Sequence, residues 1–413
     1  MKKRQNPIEK VIILMLVLSA ATWTRASEDA PEVRPFEISI SDETLDELKE
    51  RLRKTRFPSE APKEDWQYGV QVEYMKSFVD DWLHSYDWRK TESTLNRYDH
   101  FLTEIDGLDI HFMHIKSKHE DAKPLLLLHG WPGSFVEFME LIEPLTDPEA
   151  HGGSPEDAFH LVIPSLPGFG FSEAPNEPGW SFGRMAPVMS QLMARLGYER
   201  YGAQGGDWGA GVSIALGIND SDHVLGVHLN HPGFMGGIIP DENPWKGVSA
   251  NERERHANRK SGLTEHWGYG RIQGSRPQTI SYALNDSPAG LAAWILDKFY
   301  AWSDHGGDLD SAFNRERLID NIMIYWLTES LPSSVRVYFE KDNRTLDTEN
   351  FSVPIGAALF PKEISQPPRR WFERKYGDNV KQYNIMPEGG HFAAMEEPEL
   401  LIEEIRSFFD GLQ

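Results

Sequence analysis

The sequence predicts an α/β protein built on a mostly parallel β-sheet. In the middle of the chain, short apolar runs alternate with helical segments, which is the pattern of strands buried on both faces. These runs are Leu125–Leu128, His160–Ile163, Arg200–Gln204 and Val224–Leu229. Glycine-rich or proline-rich turns follow the first three runs, and the turns after parallel strands gather at the carboxyl edge of the sheet. We therefore expect the functional site at that edge.

Composition excludes several classes of protein. The chain has 413 residues, of which 39% are hydrophobic, so it can build a sizeable core in one large domain or in two or three domains. Its net charge of -22 argues against nucleic acid as a partner. The absence of cysteine excludes disulfide scaffolds, iron–sulfur clusters and thiol nucleophiles. His151 and His160 lack a recognised ligand spacing, so the sequence predicts no metal and no cofactor.

The first 26 residues differ from the rest of the chain. A basic start precedes the apolar run Val11–Trp23, and small residues follow it, which is the pattern of a secretory signal peptide. The run is shorter than the ~20 residues that span a bilayer comfortably. The sequence therefore predicts an exported protein, whether periplasmic, secreted or lumenal. The alternative is an uncleaved membrane anchor.

Residues 33–118 form a first region. Leucines at helical spacing between positions 45 and 52 predict a helix that ends before Pro58. Farther along, Phe101–Ile105 and Leu108–Ile115 flank an Asp-Gly pair, which is a strong β-hairpin signal.

Beyond residue 231 the alternation of strands and helices stops. Helical, tryptophan-rich sequence continues to about Tyr338, and it is expected to form a lid over the carboxyl edge of the sheet. Strand signals return at Val353–Leu359 and Val380–Met386, before a final amphipathic helix at Pro398–Phe409. The predicted division is a first part of the core at 119–231, a helical lid at 232–344 and a second part of the core at 345–413.

The turn Gly205-Gly206-Asp207-Trp208-Gly209 lies between a strand and a helix. A nucleophile held at such a turn is strained, and it needs small neighbours because the helix packs close behind it. A carboxylate at this position can displace a leaving group from saturated carbon and form an alkyl ester. The alternative is that Asp207 only caps the helix.

Three further features favour a catalytic Asp207. His391 follows the strand signal at Val380–Met386, and Glu363 follows the one before it, in the chain order nucleophile, acid, base. The turn that begins at His129 can direct the backbone N–H of Trp131 into the same site, where it would form an oxyanion hole with the Trp208 N–H. Each feature alone has a structural explanation, but all of them at the sheet edge in this order indicate an active site.

The motifs together resemble those of epoxide hydrolases of the α/β-hydrolase fold, in particular the microsomal and fungal type with an N-terminal meander region. The resemblance covers residues 35–413. Its carriers are Tyr86-Asp87-Trp88-Arg89, His129-Gly130-Trp131-Pro132-Gly133-Ser134, Gly205-Gly206-Asp207-Trp208-Gly209, Ala283-Leu284-Asn285-Asp286-Ser287-Pro288 and Gly389-Gly390-His391-Phe392-Ala393-Ala394.

The resemblance implies a role for each site residue. Asp207 would be the nucleophile, His391 the base that activates water, and Glu363 the acid that orients the histidine. Two lid tyrosines, Tyr338 and Tyr269, would donate hydrogen bonds to the epoxide oxygen. Three other tyrosines of the predicted lid compete with Tyr269 for that assignment: Tyr282, Tyr300 and Tyr325.

The activity so implied is the hydrolysis of small apolar epoxides to vicinal diols, a detoxification chemistry. Haloalkane dehalogenases are the nearest alternative, because they also use an Asp nucleophile followed by Trp. They release a charged halide and have no need of acidic phenols. A further alternative is a secreted, non-catalytic binding module of the same fold. The sequence also leaves open a homodimer, with the N-terminal region packed either on its own lid or on a second copy.

Overall fold

The computed structural model describes residues 32–63, 66–233, 243–340, 346 and 348–412, and for 259–266 it describes the backbone alone. The segment 1–26, predicted to be a signal peptide or an anchor, lies outside these residues. Among the described helices, none is both long enough and apolar enough to cross a membrane.

The first region contains helices and a hairpin. Its elements are β1 (Arg34–Phe36), α1 (Asp42–Arg53), a 3-10 helix (Trp66–Tyr68), α2 (Val72–His84), α3 (Trp88–Leu95), β2 (His100–Ile105) and β3 (Leu108–Ile115). Helix α1 begins at Asp42 and is capped by Ser41, whose side chain accepts from the Thr44 N–H, and the leucines of the helix are buried as the spacing predicts. It ends at Arg53, before Pro58.

The predicted hairpin is present and belongs to the main sheet. Asp106 and Gly107 both have positive φ, 52° and 76°, as a two-residue type I′ turn requires. Strand β3 pairs antiparallel with β2 on one side and with Phe159–Pro164 on the other. The strands of the first region are therefore continuous with the sheet that carries the site.

The first part of the core follows the predicted alternation. Its elements are β4 (Lys123–Leu128), a 3-10 helix (Phe135–Phe138), α4 (Met139–Thr146), two 3-10 turns (Pro148–His151 and Pro155–Asp157), β5 (Phe159–Pro164), α5 (Phe182–Arg195), β6 (Tyr201–Gly205), α6 (Asp207–Asn219) and β7 (Val224–Leu229). The leucines of β4 are fully buried because helices cover both faces of this part of the sheet.

A helical insertion follows β7. Its elements are α7 (Ala250–His266), α8 (Gly268–Gln273), α9 (Pro277–Leu284), α10 (Pro288–Trp302), α11 (Leu309–Ala312), α12 (Arg315–Leu327), α13 (Leu331–Ser334) and a 3-10 helix (Val335–Tyr338). The first region packs on this insertion of its own chain. Arg51 forms an ion pair with Asp286 at 2.9 Å, and the Tyr86 hydroxyl donates to Asp320 at 2.7 Å.

The chain then completes the sheet. The last elements are β8 (Ile355–Leu359), α14 (Arg369–Tyr376), a 3-10 turn (Gly377–Asn379), β9 (Asn384–Ile385), α15 (Ala393–Glu396) and α16 (Pro398–Asp410). The strand predicted at Val380–Met386 is shorter than expected. Only Asn384–Ile385 forms a regular ladder with β8, although Val380 makes an isolated bridge to Ile355.

Within the described residues, nine strands form one sheet in the order β1-β2-β3-β5-β4-β6-β7-β8-β9. The pairs from β5 through β9 are parallel, and the three pairs that involve β1, β2 and β3 are antiparallel. The predicted mostly parallel sheet is thus confirmed, and the carboxyl ends of its parallel strands lie along one edge.

Candidate active site

Asp207 lies at the tight turn between β6 and α6. Its φ is 44°, in the left-handed region that residues other than glycine rarely adopt. The glycines on either side permit this turn. A Cβ at Gly209 would lie 2.0 Å from the carbonyl oxygen of Leu128, and one at Gly205 would lie 2.3 Å from the carbonyl oxygen of Gly209. The turn therefore presents the Asp207 carboxylate at the carboxyl edge of the sheet, as the sequence predicts.

Backbone N–H groups hold the Asp207 carboxylate. The Trp131 N–H donates to Oδ1 at 2.8 Å, and the Trp208 N–H also donates to the carboxylate. Gly130 makes room for this arrangement, because a Cβ there would lie 2.3 Å from Oδ1. The two N–H groups predicted to form the oxyanion hole therefore meet at the same carboxylate.

Helix α12 of the insertion fastens the turn that carries Trp131. The Asn321 side chain donates to the carbonyl oxygen of Pro132 at 2.7 Å and accepts from the Ser134 hydroxyl at 2.8 Å. The Tyr325 hydroxyl donates to the carbonyl oxygen of Gly133 at 2.7 Å. These bonds are buried, so they hold the position of the turn against solvent competition.

His391 faces Asp207 from the loop after β9. Its Nδ1 lies 3.0 Å from both carboxylate oxygens of Glu363, and its Nε2 lies 3.6 Å from Oδ2 of Asp207. Glu363 is fully buried in the loop after β8, and the exposed fraction of His391 is 5%. The Nδ1–H donor thus fixes the ring so that Nε2 points toward Asp207. The structure brings together the three residues predicted from the sequence.

The charges of these groups shift one another's pKa. Burial raises the pKa of Asp207 to about 6, although His391 and the two backbone N–H donors oppose the shift. Burial alone would lower the pKa of His391, but the charges of Glu363 and Asp207 raise it to about 9. The pKa of Glu363 is lowered, because His231 and His391 outweigh the effect of burial. At neutral pH, Asp207 and Glu363 are therefore carboxylates.

His231 was not predicted. It follows β7, and its Nε2 lies 3.6 Å from Oε1 of Glu363. Its place after a parallel strand was the available signal. With Glu363 and His391 it offers three possible metal-ligand atoms within 4.8 Å of one another. A metal bound there would compete with the His391–Glu363 hydrogen bond, so this arrangement suits a proton-transfer pair better than a ligand set.

The two predicted lid tyrosines meet above the nucleophile. Their ring centroids are 5.7 Å apart, and Tyr338 and Tyr269 are hydrogen-bonded through their hydroxyls. Tyr269 stacks on Trp131 at 5.3 Å, and Tyr338 lies edge-on to Trp208 at 4.8 Å. Burial and the charge of Asp207 raise the pKa of both phenols well above 10, so both remain protonated donors.

The competing tyrosines lie elsewhere. Tyr282 is 75% exposed, Tyr300 stacks on Trp66 at 3.9 Å, and Tyr325 binds the backbone of the Trp131 turn. Tyr269 is therefore the second tyrosine that the structure places beside Tyr338.

Lys298 was also not predicted. Its ammonium nitrogen lies 4.7 Å from the ring centroid of Tyr269, and it pairs with Asp297 at 2.5 Å. Only 5% of the lysine side chain is exposed. A buried positive charge over this ring favours negative charge that develops on the phenol or on an oxygen bound to it. No local pattern in helix α10 distinguishes this lysine from a surface lysine.

Taken together, these residues can support nucleophilic displacement and ester hydrolysis. A buried carboxylate can attack carbon, two neutral phenols can protonate a leaving oxygen, and a histidine paired with a carboxylate can activate water. Both N–H donors remain in place for the oxyanion of ester cleavage.

Comparisons with known proteins agree with this chemistry. Residues 33–138 match the family described as "Epoxide hydrolase N terminus", and residues 123–261 match the "alpha/beta hydrolase fold" family. The chain is 38% identical to Epoxide hydrolase 1 of Sus scrofa over 427 residues, which cover 96% of this chain and 94% of that protein.

Two solved structures extend the similarity to the fold. The juvenile hormone epoxide hydrolase of the silkworm Bombyx mori has a TM-score of 0.83 at 34% identity, covering 92% of this chain and 95% of that one. The epoxide hydrolase of Aspergillus niger has a TM-score of 0.82 at 34% identity, covering 92% and 97%. These relatives favour epoxide hydrolysis over haloalkane dehalogenation or a non-catalytic role. The chain belongs to the epoxide hydrolase family of the α/β-hydrolase fold.

Proposed function

We propose that this epoxide hydrolase acts through a covalent ester on Asp207, in two half-reactions. In the first, Oδ2 of Asp207 attacks an epoxide carbon, the ring C–O bond breaks, and a hydroxyalkyl ester forms. One observation supports this proposal most directly: the Asp207 carboxylate lies close both to a backbone N–H donor and to a histidine. Trp131 N–H binds its Oδ1, and His391 Nε2 lies 3.6 Å from its Oδ2.

Ring opening needs a proton donor for the departing oxygen. Tyr338 and Tyr269 supply it in this proposal, because both phenols are neutral at physiological pH and lie over the Trp131 and Trp208 side of the nucleophile. The segment 232–344 would then act as a lid that carries both donors.

Ester hydrolysis uses the other partner. Esterification removes the charge of Asp207, which is one of the charges that raise the pKa of His391, and so favours the neutral ring. Water then attacks Cγ of Asp207 while its proton passes to Nε2 of His391, and Glu363 stabilises the imidazolium that forms. The N–H groups of Trp131 and Trp208 bind the oxyanion, and one such donor is typically worth about 3 kcal/mol. The intermediate then collapses, the diol oxygen takes a proton, and Asp207 regains a carboxylate that contains one solvent oxygen.

The aromatic surroundings of the two tyrosines favour a small apolar epoxide as substrate. The basic and apolar pattern of residues 1–26 supports export, with a membrane anchor as the alternative form. Detoxification would follow from the chemistry, because a diol is less electrophilic than an epoxide.

Isotope labelling tests the covalent route. In a single turnover in water enriched in ¹⁸O, with enzyme in excess, we expect the label in Asp207 and not in the diol. Peptide mass spectrometry of the enzyme and mass analysis of the diol measure the two. Asp207→Ala serves as the control and should form no diol. Direct incorporation of label into the first-turnover diol would contradict the ester.

Tyrosine variants test the ring-opening step. Tyr338→Phe and Tyr269→Phe should each slow ester formation, by about 10²-fold, because a proton donor to the leaving oxygen is lost. Stopped-flow measurement of alkylation checks this, with the exposed Tyr282→Phe as the matched control. Wild-type alkylation rates in both variants would remove the phenols from the mechanism.

A further inference from the structure

A small, partly enclosed cavity adjoins the nucleophile. The polar residues that line it include Glu137, Asp207, Asn230 and His391. The space open to the centre of a water molecule is about 10 Å³, which suits a single water. Water in this cavity would touch both the carboxylate that becomes the ester and the histidine that takes the proton.

The Glu137 carboxylate belongs to the same turn as the oxyanion donor. It lies in the 3-10 helix Phe135–Phe138, which folds back over the turn. A Cβ at Gly133 would lie 2.0 Å from its Oε1, so the glycine provides the room that the carboxylate occupies. The Gly130 N–H also donates to this carboxylate. Two glycines of one turn thus leave room for two acidic side chains: Gly130 for Asp207 and Gly133 for Glu137.

We propose that Glu137 is a further catalytic residue, whose carboxylate holds the hydrolytic water in this cavity during cleavage of the Asp207 ester. This inference rests on the proposed covalent route. Glu137 accepts one O–H of the water, the other O–H points to Nε2 of His391, and the water oxygen then faces Cγ of the ester. The proton passes to His391, the new C–O bond forms, and the bond to the alkyl oxygen breaks as that oxygen is protonated.

The ionisation state of Glu137 is expected to differ between the two half-reactions, because Asp207 is charged in the first and esterified in the second. Burial and the negative charge of Asp207 raise the pKa of Glu137 to about 8, while His391 and the Gly130 N–H oppose the shift. Glu137 is therefore mostly neutral while Asp207 is a carboxylate, and it does not repel the epoxide oxygen or weaken the nucleophile. Esterification removes the charge of Asp207, which favours ionisation of Glu137 when a water acceptor is needed.

Rapid-mixing kinetics on the full chain test the proposal, with an epoxide whose ester and diol can be followed separately. Glu137→Met should leave alkylation near the wild-type rate and slow ester hydrolysis by about 10²-fold, so that the ester accumulates. Glu137→Gln retains an acceptor oxygen and should restore part of the hydrolysis rate. Glu140→Gln is the matched control, since this glutamate of the next helix is half exposed, and it should behave as wild type.

A second variant keeps Glu137 but displaces its carboxylate. Gly133 has a backbone conformation that alanine can also adopt, and the methyl group of Gly133→Ala would push the Glu137 carboxylate aside without removing it. It should also slow hydrolysis selectively, and this result does not depend on the folding of Glu137→Met. Equal losses in both half-reactions, or unchanged hydrolysis in Glu137→Met and Gly133→Ala, would overturn the inference. A wild-type enzyme that forms diol without an ester would overturn the covalent route instead.

Discussion

Two buried histidines in this molecule, His391 in the site and His111 in the N-terminal hairpin, have opposite shifts of their pKa values. In the site, His391 donates to Glu363 at 3.0 Å, and Nε2 of His231 lies 3.6 Å from Oε1 of the same carboxylate. In the N-terminal hairpin itself, Nδ1 of His100 on β2 and Nε2 of His111 on β3 are 2.9 Å apart, and Nδ1 of His111 lies 2.9 Å from the Ser165 hydroxyl.

The pKa values of His391 and His111 shift in opposite directions. The carboxylates around His391 raise its pKa to about 9 despite burial. Burial, with neighbouring histidines and no carboxylate partner, lowers the pKa of His111 well below 6.5. The hairpin pair is therefore a neutral hydrogen-bonded link between strands, whereas His391 can hold and release a proton. Burial lowers the pKa of His231 to about 4, although the charge of Glu363 opposes the shift. The hydrogen bond to a buried carboxylate, more than burial itself, distinguishes His391, the proposed catalytic histidine, from His111.

The largest effect should come from removing His391, the proposed catalytic base. His391→Gln should lower kcat by about 10³-fold and leave the enzyme trapped as its ester, because water is no longer deprotonated. Intact-protein mass spectrometry after mixing with epoxide measures the trapped ester.

His111→Gln is the contrasting variant. It should retain kcat while losing about 1–3 kcal/mol in the free energy of unfolding, because buried hydrogen bonds are disrupted. An inactive but fully stable His111→Gln protein would contradict the assignment of a structural role to His111 and a catalytic role to His391.

A smaller effect is expected when the carboxylate of the site is neutralised. Glu363→Gln should lower kcat by about 10²-fold. It should also move the acid limb of the kcat–pH profile to lower pH, because Glu363 raises the pKa of His391 and only the neutral imidazole activates water. A profile that keeps its acid limb in place would show that Glu363 orients the ring without setting its charge.

The smallest effect concerns stability against acid. His111 is neutral in the folded state and has an unperturbed pKa near 6.5 when unfolded, so the unfolded chain binds more protons below that pH. The stability that its neutral form allows is present above pH 6.5 and is lost as the pH falls toward the folded pKa. Urea unfolding of wild type and His111→Gln should therefore give a difference that shrinks by about 1 kcal/mol between pH 7 and pH 5.5.

His391 contributes with the opposite sign and at higher pH. Its folded pKa is raised, so its contribution is complete below about 6.5 and is lost as the pH rises through about 9. The same titration carried to pH 9 on wild type and His391→Gln should show a difference in unfolding free energy that declines only above pH 6.5. Coincident pH windows for the two histidines would contradict the assignment of their surroundings.

Short sequence patterns predicted the elements whose structure depends mainly on residues close to one another in the chain. Apolar runs located β4 through β8 to within about two residues, and the glycine-rich turn placed Asp207 at a strand–helix junction. The edge strand β9 was overestimated, because pairing with β8 and not the apolar run sets its length. Helices α2 and α3 were not predicted, although apolar residues of α2 recur at helical spacing and are buried, among them Val72, Met75, Val79 and Trp82.

The unpredicted site residues depend on contacts between distant parts of the chain. Glu137 is an ordinary glutamate in the sequence, and only the fold of its 3-10 helix back over Gly133 brings it to the nucleophile. His231 and Lys298 likewise gain their significance from Glu363 and Tyr269, which come from other elements.

The bonds from α12 to the Trp131 turn constrain how substrate range can be redesigned. Asn321 and Tyr325 belong to the helical insertion, yet they hold the turn whose Trp131 N–H binds the Asp207 carboxylate. A chimera that receives its whole insertion from a relative with another substrate range would also receive a new support for this turn. Recombination is therefore best confined to the segments around α12, with Arg315–Leu327 kept as part of the catalytic core.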